Sequence, residues 1–235
     1  MTKVSEATHL VLVAGGTGSR MNSAIPKQFL DIRPGWTVFE ESLSRLISMV
    51  QFISVVLVVP ENWIQTSIEL ASRIIPDGTD LSVTTGGICR QESCSIGVSS
   101  ISGAPADIVI IHDAARPFVS AQLVDRLIHA GRTVGAAIPV ISSRDSLVTA
   151  RDGLVLDYLD RTEVLQVQTP QVFRFESIRC AHQEAQESGV VNACDDAILV
   201  NRIGYPIAAV EGDPGNIKLT TPEDLEHARQ RLRAN

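Results

Sequence analysis

The stretch AGGTGSRMNSAIPKQFL, Ala14 to Leu30, follows the apolar run HLVLV and gathers three glycines, an arginine and a lysine. Gly15, Gly16 and Gly18 let the backbone approach a ligand closely and turn amides toward it, which suits phosphate oxygens. Arg20 and Lys27 add positive charge on the same stretch, and Pro26 stiffens the approach to Lys27. Two familiar phosphate motifs are missing. A Walker loop ends in Gly-Lys-Ser/Thr, and the dinucleotide fingerprint needs a glycine where Met21 stands. By itself the stretch reads either as a phosphate cradle or as a tight strand-to-helix turn.

Three other stretches carry chemistry. In IIHDAARPF, 110–118, Asp113 leaves the end of a buried strand, where a lone carboxylate is costly unless it is paired or bound to a metal. A Mg2+ shared with substrate phosphates would satisfy it, and so would an N-cap role or a pair with Arg116. His112 reads as a packed, hydrogen-bonded histidine rather than an acid or base. In GGICRQESCSIG, 86–97, a second glycine turn precedes an amphipathic pattern, and Ser93 near its start bonds a ligand or caps the helix. In GDPGNIKLTTPEDL, 212–225, Lys218 sits on an apolar strand between Ile217 and Leu219, either facing outward or clamping a phosphate.

These residues need a scaffold, and the apolar patterning predicts one. Strand-length runs appear at 9–14, 53–59, 107–112, 135–140 and 206–211, and their near-continuous apolarity predicts burial on both faces. Between them, VFEESLSRLISMV, NWIQTSIELASRII and AQLVDRLIHAG repeat apolar residues at helical spacing. The alternation predicts an α/β fold built on a doubly wound, mostly parallel sheet, with ligands at the carboxyl ends of the strands. Arg144 to Arg161 breaks the pattern: two strand-like runs flank Asp152-Gly153, a hairpin signal. Its Leu154, Leu156 and Tyr158 need a cover, supplied by a second subunit or by the hairpin's own domain.

The net charge of −7 over 235 residues argues against a long nucleic-acid contact, so any bound anion must meet a local site. The four cysteines show no metal-binding spacing and read as reduced thiols. No run is long enough for a membrane span and MTKVSEATHL is too polar for a secretion signal, so a cytoplasmic location is expected. One domain, 1–235, accounts for the pattern, with 142–164 as a projecting arm.

AGGTGSRMNSAIPKQFL, HDAARP, the pair Asp160-Arg161, QTPQVF at 168–173, DDA at 195–197 and NIKLTTPEDL resemble the 2-C-methyl-D-erythritol 4-phosphate cytidylyltransferases of the non-mevalonate isoprenoid pathway. The motifs follow the family's order over nearly the whole chain. The resemblance implies a Rossmann-like nucleotidyltransferase fold and transfer of CMP from CTP to a polyol phosphate, with release of pyrophosphate and use of Mg2+ or another divalent cation. It implies catalytic roles for Arg20, Lys27, Arg161 and Lys218: the first two stabilise the transition state and the last two position the acceptor phosphate. Ala14, Gly15, Gly16, Gly18, Gly87, Ser93 and Asp113 belong to the CTP site, with Asp113 holding the metal. Arg116, Ser146, Arg161 and Thr169 contact the polyol phosphate. The family forms homodimers whose arm completes the neighbour's site, so the resemblance implies that 142–164 serves dimerisation and that Arg161 acts in trans.

Some positions depart from the pattern. AGG at 14–16 and PKQFL at 26–30 are closer to the related ribitol-5-phosphate cytidylyltransferases, Cys194 replaces a usual threonine, and Ile88 replaces a common acidic residue. A ribitol-5-phosphate or other polyol-phosphate enzyme would share every cation above. A non-catalytic nucleotide-binding regulatory protein is the reading from another class.

Overall fold

Strand β1 (Thr8–Val13) buries Leu10 and Leu12 on one face and Val11 on the other. Strand β4 (Ser54–Val59) divides Val55, Leu57 and Val59 from Val56 and Val58 in the same way, and β6 (Ile108–Asp113) divides Ile108 and Ile110 from Val109 and Ile111. A core on each face is why these runs are continuously apolar. The first core is closed by α1 (Val38–Met49), α2 (Ile64–Ala71) and α4 (Ala121–Val134); the second by α3 (Arg90–Ser99), α5 (Phe175–Glu187) and α6 (Ala197–Arg202). The computed structural model describes residues 6–16 and 25–234, so Gly18 and Arg20 lie outside the described residues.

The sheet runs β5 (Asp80–Thr85), β4, β1, β6, β11 (Gln171–Arg174), β7 (Ala136–Ser142) and β12 (Ala208–Glu211). β10 (Leu165–Val167) pairs with β7 on the same edge as β11; among the described residues these two strands alone run antiparallel to their neighbours in this sheet. From β1 the chain builds outward through β4 and β5, then returns to β6 on the other side of β1. The order therefore reverses between β1 and β6, where α/β sheets open a ligand crevice. The Ala14 N–H donates to Val58 O at 2.7 Å and the Ala114 N–H to Val13 O at 3.0 Å, which fixes the starts of the loops leaving β1 and β6 at that point.

Two smaller units flank the sheet. β2 (Asp31–Arg33) and β3 (Trp36–Thr37) form a short hairpin that packs with α7 (Pro222–Arg233) around Ile32, Phe118 and Leu225. α7 starts in a capping box in which Thr221 and Asp224 exchange hydrogen bonds, with Pro222 at its first turn. β8 (Leu147–Arg151) and β9 (Leu154–Leu159) pair with each other as a separate two-stranded sheet. Asp152 and Gly153, at φ 52° and 79°, take the left-handed turn that Asp-Gly favours. Leu154 and Tyr158 are 71% and 73% exposed, so nothing in the described chain covers this hairpin.

Three sequence expectations need correction. The helix expected over 62–75 is confined to Ile64–Ala71, because a 3-10 turn at Glu61–Trp63 precedes it and Ile74 N–H folds back onto Ala71 O. β5 is absent from the predicted strands, because its residues are mostly half-exposed at the sheet edge and alternate weakly. Ile217–Leu219 forms no strand: Leu219 N–H reaches Ala115 O at 2.8 Å, and no ladder follows.

Helix α3 sits close on the sheet because Gly97 faces it. A Cβ there would stand 2.5 Å from Val11 Cγ1 and 2.9 Å from Val58 Cγ2. Gly97→Val is expected to lower stability by about 1–3 kcal/mol through overpacking, read as a fall in melting temperature. An unchanged melting temperature would contradict the close seating of α3.

Candidate active site

The loops leaving β1, β5 and β6 meet around a cavity of about 290 Å3. From β1 come Ala14, Gly15 and Gly16; from the loop after β5 come Gly87 and the first turn of α3; from the end of β6 comes Asp113. Lys27 lines the same cavity from a 3-10 turn, Lys27–Phe29, as does Lys218 from the segment before α7. A second hollow of about 310 Å3 shares Arg90, Asp113 and Lys218 with the first and adds Arg116, Thr169 and Cys194. The two cavities therefore meet along a charged wall.

That wall is organised by Asp113. Its Oδ2 accepts from Lys218 Nζ at 2.7 Å, its Oδ1 accepts from Arg90 Nε at 3.1 Å, and Arg116 Nε stands 3.9 Å away. Burial works against the carboxylate, but Arg90 and Lys218 outweigh it and hold Asp113 well below the usual carboxylate range. The pair with Arg116 read from sequence is thus the longest of three, and the shorter two join residues far apart in the chain.

Arg90 also donates from Nη1 to Asp196 Oδ2 at 2.7 Å, and Asp196 Oδ1 lies 3.1 Å from His182 Nε2. Burial opposes the arginine's charge; Asp196 and Asp113 more than offset it and raise its affinity for the proton. Asp196, at the start of α6, is buried, yet Arg90 and His182 keep its carboxyl low. Arg90, the first residue of α3, thereby ties Asp113 to α5 and α6.

Backbone hydrogen bonds place the remaining groups. Leu219 N–H on Ala115 O and the Thr221 cap of α7 fix the segment that carries Lys218. Ser93 Oγ accepts from Gly87 N–H at 3.1 Å and donates to Cys89 O at 2.9 Å, so Ser93 is a clasp on the second glycine loop and lines the cavity as well. Thr169 Oγ1 accepts from Asp113 N–H and lies 3.1 Å from His112 Nδ1. Burial pushes the His112 imidazole down to about 4, which agrees with a hydrogen-bonded rather than an acid–base histidine. Arg116 donates from Nη1 to Asn216 O and lines the second hollow.

Ser146 and Arg161 stay apart from these cavities. Ser146 lies in the exposed loop before β8, and Arg161 is exposed after β9 in a turn closed by Thr162 on Asp160. Ile88 is 99% exposed at the mouth of the first cavity. Sequence reasoning missed Arg90, Gln28 and Asp196. Each stands inside a quoted motif, GGICRQES, PKQFL or DDA, so the signal available was a charged or amide residue beside a glycine loop or cation.

Residues 8–234 match the family model described as 2-C-methyl-D-erythritol 4-phosphate cytidylyltransferase. The chain is 38% identical to the enzyme of that name from Geobacillus kaustophilus, covering 92% of each chain, and 36% identical to the one from Carboxydothermus hydrogenoformans, covering 95% of this chain and 94% of that one. The crystal structure of the Thermus thermophilus enzyme of the same name superposes with a TM-score of 0.75 at 33% identity, covering 95% of this chain and 98% of that one. A glycine loop, a second glycine turn and a carboxylate ringed by cations thus sit on a fold shared with these enzymes over almost its whole length, and the chain belongs to the 2-C-methyl-D-erythritol 4-phosphate cytidylyltransferase family.

Proposed function

We propose that the chain transfers CMP from CTP to 2-C-methyl-D-erythritol 4-phosphate and releases pyrophosphate. The observation that carries this reading is the shared wall of Arg90, Asp113 and Lys218, which separates a cavity with two glycine loops and Lys27 from one with Arg116 and Thr169. A triphosphate fits the first and a smaller phosphate the second, so that the acceptor meets the α-phosphorus at the wall.

The acceptor is a phosphate monoester whose second pKa is about 6, so at neutral pH it is mostly a dianion and needs no general base. One of its oxygens bonds to the α-phosphorus as the bond from that phosphorus to the β-phosphate oxygen breaks, and the electron pair leaves with pyrophosphate. The obstacle is the meeting of two anions and the charge that gathers on the leaving group. Fixed cations answer it, Lys27 on the triphosphate side and Lys218 on the acceptor side, with Arg161 supplied by a second copy; the family resemblance gives Arg20 the same charge-stabilising role.

A Mg2+ ion fits one carboxylate here. Asp113 lines both cavities, and its two oxygens keep lone pairs beyond those taken by Lys218 and Arg90. Among the described residues no cluster of three or more metal-ligating side chains occurs. That donor set suits an ion whose remaining ligands are phosphate oxygens and water. When bound, the ion would neutralise phosphate charge; Asp113 is the residue that would hold it.

The β8–β9 hairpin supports a homodimer. It presents Leu154, Leu156 and Tyr158 to solvent, and Arg161 follows it outside both cavities of its own subunit. A second copy that covers the hairpin would receive Arg161 in its acceptor hollow. Among the described residues no helix is long and apolar enough to cross a membrane, and the described cysteines are free thiols, which fits a cytoplasmic enzyme.

A pyrophosphate-release assay with CTP tests the acceptor. Methylerythritol phosphate is expected to give a kcat/KM at least about tenfold above that of ribitol 5-phosphate. The reverse order would transfer the site to ribitol phosphate, and no release with either would support a non-catalytic nucleotide binder. For the shared site, Lys27→Ala is expected to lower kcat by about 10²-fold, the scale of one lost electrostatic stabiliser. Mixed with Arg161→Ala under subunit exchange, it should recover roughly one quarter of wild-type activity, since half the dimers then carry one intact site. No recovery, with exchange demonstrated by mass, would place Arg161 in its own subunit's site.

A further inference from the structure

A buried amide stands beside the first glycine loop and lines the same cavity. Gln28 is 2% exposed on the 3-10 turn that carries Lys27, and its Nε2 donates to Ala14 O and, at 3.3 Å, to Gly16 O. The turn itself is anchored: the Phe29 N–H donates to Pro26 O at 2.8 Å, and the Phe29 ring stacks on Trp63 with centroids 4.1 Å apart. On the far side of the loop stands Ser93, whose Oγ would lie 3.4 Å from a Cβ on Gly15.

Peptide planarity gives this arrangement a consequence. The C=O and N–H of a trans peptide point in opposite directions, so an Ala14 carbonyl drawn onto Gln28 turns the Gly15 N–H away from it. A carbonyl oxygen carries partial negative charge and would repel a triphosphate, whereas an amide N–H attracts one. Gln28 is suited to holding two carbonyls, because its neutral NH2 has two protons to donate; an ionised glutamate of the same shape has none.

We infer that Gln28 is a positioning residue for the triphosphate half of the site. By holding the Ala14 and Gly16 carbonyls it turns the Gly15 N–H away from itself and toward the phosphate oxygens, and it fixes Lys27 against the same loop. The inference rests on the cytidylyltransferase reading above. Its expected signature is selective: binding of the triphosphate suffers while binding of the acceptor does not.

Calorimetry with CTP and with inorganic tripolyphosphate, beside steady-state kinetics, tests it on wild type, Gln28→Met and Gln28→Glu. Gln28→Met is expected to weaken both ligands and raise the KM for CTP about tenfold, the scale of a lost hydrogen-bonded clasp, with the acceptor KM unchanged within about twofold. Gln28→Glu should bind worse still at pH 8 and recover relative to wild type at pH 5.5, because a buried carboxyl protonates early and then donates an O–H. Gln28→Met should show no such recovery. Wild-type affinity for tripolyphosphate in Gln28→Met, or an acceptor KM that rises as much as that of CTP, would overturn the inference. Should Gln28→Met fail to fold, absence of recovery in Gln28→Glu overturns it by itself. A wild type that binds both ligands but releases no pyrophosphate would refute the reaction and leave the clasp standing.

Discussion

A charged carboxylate at the inner end of a buried strand has to be surrounded by cations, and that requirement shapes this molecule around Asp113. The strand is needed because its apolar residues join the two cores, and the carboxylate is left where the strand runs out. Arg90 reaches it from α3 and Lys218 from the segment before α7. For those two to converge, α3 must lie close on the sheet, which Gly97 permits, and the 213–221 segment must stop short of pairing as a strand. Asp196 and His182 extend the same network into α5 and α6.

This arrangement suits phosphoryl transfer better than chemistry that requires a nucleophilic side chain. His112 is kept neutral by burial and spends both ring nitrogens on Thr169 and Arg116. Cys94 is buried beneath the network, and burial pushes its thiol up. The cavities are lined by Lys27, Arg90, Arg116 and Lys218 around Asp113 and by glycine backbone, with Ser93 and Thr169 spent on backbone amides. Such a site acts by holding two anions together and by stabilising charge that moves from one to the other.

Much of this was legible in the sequence, for identifiable reasons. Burial on both faces writes itself as an unbroken apolar run, so β1, β4 and β6 could be read directly, as could the loops at their ends. The hairpin could be read from Asp152-Gly153, since few pairs accept two left-handed residues in succession. Asp113 stood out because a strand end is an expensive place for a charge. Its pairing did not: Arg90 lies 23 residues before it and Lys218, itself conspicuous on an apolar run, lies 105 after it, and no local pattern encodes those approaches. Asp196 is a further 106 residues from Arg90 and reads locally as a helix start. Ile217-Lys218-Leu219 has the alternation of a strand, but pairing depends on neighbours that local sequence does not specify. Gln28 was hidden by its type, since an amide announces neither charge nor apolarity.

The central claim is that the Arg90–Asp113 contact couples the active site to the fold, and a double-mutant cycle on unfolding free energy tests it most directly. With Arg90→Met, Asp113→Asn and the double variant, a coupling of about 1 kcal/mol or more is predicted, because either single change takes one of two partners from a buried charge: Asp113 keeps Lys218 and Arg90 keeps Asp196. Additive single effects, with coupling near zero, would contradict the account.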